Sequence, residues 1–143
     1  MPRRFALLFL ALATCLTASA QYAKTMHETF PVRGVDRIEL HVVDSVTVEF
    51  WPANVVLIQT DVRVTNSSQG LFRYLTEEDR RYVVTSSREG ATLNILSEEP
   101  LRRAIETGCG QLEEKIHVKV LLPKDFVEDG AGSYVLAVEE AGS

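Results

Sequence analysis

Three histidines, two cysteines and twenty acidic residues are the side chains from which this 143-residue chain would have to build a reactive site. His27, His41 and His117 lie far apart, and no His-x-His, HExxH or Cys-x-x-Cys spacing joins them. The pattern therefore supplies no metal-ligand set. His41 and His117 occupy polar positions of alternating segments and can meet only if their strands are neighbours. The acidic pairs Glu77-Glu78, Glu98-Glu99, Glu113-Glu114 and Glu139-Glu140 offer carboxylates for glycoside hydrolysis or oxygen ligands for calcium. Adjacent residues on a strand point to opposite faces, however. No Asp-x-Asp-x-Asp calcium loop, Gly-x-Ser-x-Gly elbow, phosphate loop or dinucleotide fingerprint is present. Trp51, Tyr74, Tyr82 and Tyr134 could stack on sugar rings, but aromatics at strand positions mostly serve packing. No residue is assigned a catalytic, cofactor-binding or metal-binding role, and the acids read as solvated.

The cysteines bear on export rather than catalysis. Met1-Pro2-Arg3-Arg4 carries two positive charges, Phe5 to Thr14 is almost wholly apolar, and Leu16-Thr17-Ala18-Ser19-Ala20 ends in small residues. This is the layout of a secretory signal over residues 1–20, with cleavage after Ala20. The apolar run falls short of the about 20 residues a spanning helix needs, and no later segment reaches that length. Leu12-Ala13-Thr14-Cys15 resembles a bacterial lipobox, which makes Cys15 a candidate lipidation site, although Thr14 departs from the usual Gly, Ala or Ser. Removing residues 1–20, with Arg3 and Arg4 and no acid, leaves 123 residues of charge −7. Cys109 is then the one cysteine, flanked by Gly108 and Gly110. An intramolecular disulfide is then not expected, and Cys109 is a candidate for an intermolecular one. The glycines suggest a tight turn rather than a helix N-terminus that would activate the thiol.

Any surface must be positioned by elements of period two. Arg37-Ile38-Glu39-Leu40-His41-Val42 alternates cleanly, as does Val46-Thr47-Val48-Glu49-Phe50, with Asp44-Ser45 as turn formers between them. Val55 to Thr65 places Val56, Ile58, Val62 and Val64 on one face, and Gln59, Asp61, Arg63 and Thr65 on the other. Leu71 to Leu75 fits one helical turn, and Thr76 to Arg81 a solvated charged connection. Tyr82–Ser86 and Ala91–Leu96 are strands joined by a hairpin at Glu89-Gly90. Pro100 to Ile105 is expected to be a short helix. Lys115 to Leu122 is a strand stopped by Pro123, and Tyr134 to Val138 a last short one. About seven strands in this spacing describe one all-β domain over residues 21–143. An apolar share of 45% with 24% charged residues excludes a disordered chain, and a formal charge of −5 without a basic stretch excludes a nucleic-acid surface.

Phe30-Pro31-Val32-Arg33-Gly34-Val35-Asp36-Arg37-Ile38-Glu39-Leu40, followed by Asp44-Ser45-Val46-Thr47-Val48, resembles the opening of bacterial adhesin-like envelope proteins of the head GIN domain type and related domain families of unknown function. Gly90 to Ile95 and Ile116 to Pro123 are similar to later segments of that family, in the same order. The resemblance implies a short β-solenoid-like stack of strands. The family's Gly-Ser-Gly-Asp repeats are absent apart from a hint at Gly130-Ala131-Gly132-Ser133. Spacing alone allows an antiparallel β-sandwich as the alternative, and the Glu89-Gly90 hairpin favours antiparallel pairing.

The expectation is an exported, non-enzymatic envelope protein, periplasmic or at the cell surface, lipid-anchored if Cys15 is used. It would need no cofactor and would present a β surface to an envelope protein or polysaccharide, with self-association through strand edges also open. The polar faces of residues 37–49 and 115–121, or the irregular 98–114 region, would form that surface. The alternative is a carbohydrate-active enzyme using carboxylates drawn from loops or separate strands, about 5–10 Å apart across a cleft.

Overall fold

The computed structural model describes residues 21–137; the signal segment with Cys15, and Glu139-Glu140, lie outside the described residues. The longest strands arise where β-branched residues alternate with polar ones. β4 (Val55–Thr65) buries Val56, Ile58, Thr60, Val62 and Val64 completely or nearly so and turns its other residues outward. β9 (Glu113–Pro123) does the same with Val118, Val120 and Leu122. These two pair antiparallel at the centre of a four-stranded sheet, flanked by β1 (Tyr22–Pro31) beside β4 and by β3 (Ser45–Trp51), parallel, beside β9.

A second sheet of five strands faces it. β2 (Arg37–His41) and β6 (Thr92–Ser97) run parallel at its centre; β5 (Val84–Glu89) lies outside β6, and β11 (Ser133–Leu136) and β10 (Phe126–Glu128) lie outside β2. Ile38, Leu93, Ile95 and Tyr134 from this sheet pack with Val56, Ile58, Val118, Val120 and Leu122 from the first. The architecture is all-β and sandwich-like, with mixed sheets. The expected stack of rungs is not what the pairing shows: rungs would pair equivalent strands in parallel, whereas only β2 with β6 and β3 with β9 are parallel among the described pairs. The Glu89-Gly90 hairpin does form, with Glu89 opposite Thr92 and Gly90 at φ 61°.

β4 and β9 extend beyond the second sheet, and this overhang needs its own cover. Val62 and Val64 meet Leu75, Tyr82 and Leu112 in a separate buried cluster. The cover is a helix, α1 (Gln69–Arg73), running into a wider turn of π geometry over Tyr74–Glu78. Ser68 caps the helix, its hydroxyl accepting the Leu71 N–H at 3.1 Å. Tyr22 of β1 stacks on Phe72 at 5.6 Å between ring centroids. The segment expected to be a solvated connection is thus partly interior, since Thr76 and Arg81 are buried. The expected helix over Pro100–Ile105 is irregular chain, followed by a small hairpin of β7 (Glu106–Thr107) and β8 (Gly110–Gln111). Arg102 is drawn instead into an ion pair with Asp44, which holds the segment against the sandwich.

Candidate functional site

Register decides what the open face of the four-stranded sheet displays. Thr25 of β1 stands opposite Asp61 of β4, Asp61 opposite His117 of β9, and His117 opposite Ser45 of β3. One row of polar side chains therefore crosses all four strands. The next row is His27, Gln59, Lys119 and Thr47, and the one after is Thr29, Leu57, Leu121 and Glu49. Arg63 and Lys115 form the row on the other side of Asp61 and His117.

The rows are joined by hydrogen bonds. The Thr25 hydroxyl donates to Asp61 Oδ1 at 2.6 Å, and the Gln59 amide donates to Oδ2 at 3.5 Å. His117 Nε2 lies 3.0 Å from the Thr47 hydroxyl and Nδ1 lies 3.4 Å from that of Ser45. Lys119 Nζ sits 3.2 Å from Glu49 Oε2. The Asp61 carboxyl is held below its ordinary value of 3.8, chiefly by the Thr25 hydroxyl; partial burial opposes this, and Gln59, His117 and Arg63 add to the lowering. Thr25, Ser45, Asp61, Arg63, Lys115 and His117 line one open groove.

Ser45, His117 and Asp61 share a row but do not form a nucleophilic relay. Both ring nitrogens face hydroxyls of β3, and the short bond of Asp61 goes to Thr25, so no carboxylate orients the imidazole. What the row offers is a fixed array of donors and acceptors along an open groove.

A second polar cluster closes the end of the sandwich. Arg81 Nε and Nη2 donate to the two oxygens of Glu114 at 3.2 and 2.7 Å, and Nη2 also donates to the Arg103 carbonyl at 2.6 Å. Arg102 grips Asp44 in the same forked way, at 2.6 and 2.8 Å, and donates to the Arg81 carbonyl at 2.9 Å. Its guanidinium lies 5.5 Å from the Tyr82 ring centroid. This groove holds two carboxylates, as a glycosidase would. Both oxygens of each accept from an arginine, an arrangement that fastens the 98–112 segment rather than one poised for proton transfer.

The residues singled out in the sequence are dispersed. His41 lies on β2, in the opposite sheet from His117, paired with Leu96 and 3.6 Å from Glu39. The polar face expected over residues 37–49 is accordingly split: Glu39 and His41 face out from one sheet, Thr47 and Glu49 from the other. Residues 45–49 and 115–121 do come together, as neighbouring parallel strands. Cys109 is half-buried in the turn between β7 and β8, its N–H 3.4 Å from the Thr107 hydroxyl. Asn66, after β4, donates its side-chain amide to the Gln111 carbonyl of β8 at 3.0 Å. Thr25 is a site residue that the sequence pattern does not single out, and His27 is not placed on a strand by it, because β1 goes unrecognised. Their signal was the small and polar series Ala23, Thr25, His27 and Thr29 between Tyr22, Met26 and Phe30.

Among the described residues no group of three or more His, Cys, Asp or Glu side chains could hold a metal ion, and no helix is long and apolar enough to cross a membrane. The chain matches no protein-family model, no curated protein and no solved structure.

Proposed function

We propose that this chain is an exported, non-enzymatic protein of the bacterial cell envelope that binds a partner through the outer face of its four-stranded sheet. The observation that carries the reading is the row Thr25–Asp61–His117–Ser45 with its neighbours, an ordered polar array left open to solvent. Such an array is pre-organised, so less side-chain freedom is lost on binding. Further support comes from the signal-like first twenty residues and the resemblance to adhesin-like envelope proteins of the head GIN type. Cleavage after Ala20 would release the protein, and lipidation at Cys15 would tether it; the intact mass of the exported form distinguishes the two.

The test is capture from an envelope extract with quantitative readout. Wild type is compared with a His117→Ala/Lys119→Glu variant and with a Glu39→Lys/His41→Ala control on the opposite sheet. The recovered component should persist with the control and disappear with the first variant. Equal loss from both, or no recovery above a denatured sample, would sink the proposal.

A further inference from the structure

Arg63 and Lys115 stand directly opposite each other across β4 and β9, on the outer face and exposed. Like charges in that relation destabilise a sheet pair. Neither forms an ion pair among the described residues. The pair is flanked along its strands by Asp61 on one side and exposed Glu113 on the other, and it sits at one side of the groove in a chain whose net charge is negative. One row on, Asp61 is held by Thr25 with acceptor capacity to spare, since a carboxylate offers about four lone-pair sites.

The two rows make opposite demands. A bare anion would satisfy Arg63 and Lys115 but meet Asp61 beside it. A neutral sugar would satisfy Asp61 and leave Arg63 and Lys115 without a carboxylate in direct contact. A ligand carrying a carboxylate next to donor hydroxyls answers both. Successive same-face rows of a strand are roughly 7 Å apart, a span suited to one sugar ring with its substituents. We propose that this groove binds an acidic glycan, its uronate carboxylate between Arg63 and Lys115 and a neighbouring hydroxyl donating to Asp61. The inference rests on the reading of this face as the recognition surface and names its ligand class.

The test is equilibrium binding of the purified chain to oligosaccharides of galacturonate, glucuronate and mannuronate, with their methyl esters and inorganic polyphosphate as comparisons. At least one uronate oligosaccharide should bind and its methyl ester should not. An Arg63→Gln/Lys115→Gln variant should weaken binding at least tenfold, on the order of the 1.4 kcal/mol that a tenfold change represents. Asp61→Asn is the decisive variant. A hydrogen-bonded hydroxyl predicts several-fold weaker binding, whereas simple attraction of a polyanion predicts stronger binding once the negative charge is gone. All three positions are on the outer face, and circular dichroism checks that each variant folds. Stronger binding by Asp61→Asn, equal binding of the ester, or preference for polyphosphate overturns the proposal. Failure of every uronate also overturns it. In that case the capture experiment decides separately: a component still lost with His117→Ala/Lys119→Glu leaves the recognition face standing, and none means that both readings fall.

Discussion

Tyr82 is 1% exposed, and its hydroxyl is buried with no hydrogen-bond partner. It lies beside Arg81 and Glu114, but those two are committed to each other and to the Arg103 carbonyl. A buried hydroxyl left unsatisfied costs about 1–3 kcal/mol. Tyr82→Phe removes it while keeping the ring, its packing in the cluster with Val62, Val64 and Leu75, and its contact with the Arg102 guanidinium. The expected effect is stabilisation by about 1 kcal/mol. For a domain of this size, unfolding entropy of about 2.1 cal/mol/K per residue turns that into a rise in Tm of roughly 4 °C.

The same hydroxyl gives the prediction a pH signature. Burial above all, and then the charge of Glu114, push the Tyr82 phenol well above its ordinary value of 10, with Arg81 opposing. The folded state keeps the proton where the unfolded chain gives it up. Stability is therefore intact below about pH 10 and declines as pH rises beyond it. Tyr82→Phe should flatten that decline. Tyr134, whose phenol is also raised by burial, should leave a remainder. Urea unfolding of both proteins between pH 7 and 11 measures both effects, with an unchanged m value showing that the same surface unfolds. If Tyr82→Phe is destabilised by 1 kcal/mol or more at pH 7, the hydroxyl has a partner and the reasoning is wrong.

Three further substitutions probe other parts of the argument. Arg81→Met strands Glu114, whose side chain is 16% exposed, and should cost about 3 kcal/mol in denaturant unfolding; adding Glu114→Leu should recover much of the loss. Gly132 has φ 72°, and an added Cβ would lie 3.3 Å from the Leu40 carbonyl oxygen, so Gly132→Ala should lower stability by about 1–2 kcal/mol in the same assay. Thr25→Val removes the main cause of the low Asp61 pKa and should move it up towards the ordinary value in an NMR carboxyl titration. Because the folded value lies below the unfolded one, the associated stability is present above the unfolded pKa and fades as pH falls through the folded pKa; Thr25→Val should weaken that acid-side dependence.

The strands legible in the sequence were those whose alternation carried enough apolar residues to be unambiguous. Val55 to Thr65 puts β-branched residues, and Lys115 to Leu122 apolar ones, at every second position, and a core on one side follows from that alone. β1 was not legible, because Tyr22, Met26 and Phe30 recur every fourth residue with Lys24 and Glu28 between them at the same face. Charges in that series suit an edge strand: Lys24 reaches Glu77 of the π turn at 3.6 Å, Glu28 is exposed, and charge at an edge discourages pairing with another chain. The same substitution of charge for apolar residues that protects the edge erases the period-two signal. The helix expected at Pro100–Ile105 failed for a different reason. Leu101, Ala104 and Ile105 fall at helical spacing, but Arg102 gains a forked pair with an Asp44 that lies 58 residues away, a contact no local pattern contains.

Apart from Thr25 of β1, the candidate site was legible residue by residue but not as an arrangement. Asp61, Thr47, Lys119 and His117 could each be placed on an outward face from alternation, yet which of them meet depends on pairings between β1 and β4, β4 and β9, and β9 and β3. A slip of one residue in any of those pairings would turn that strand's outward series into the core. The buried series Val56, Ile58, Val62 and Val64 against Val118 and Val120 forbids such a slip. The core therefore fixes the register, and the register places Asp61 beside His117 and Arg63 opposite Lys115. The packing that stabilises the sandwich is what assembles the polar rows on its far side. A core substitution that shifted β9 by one residue would abolish the site with every outward side chain still present, which makes the site a property of the strand pairing and not of composition.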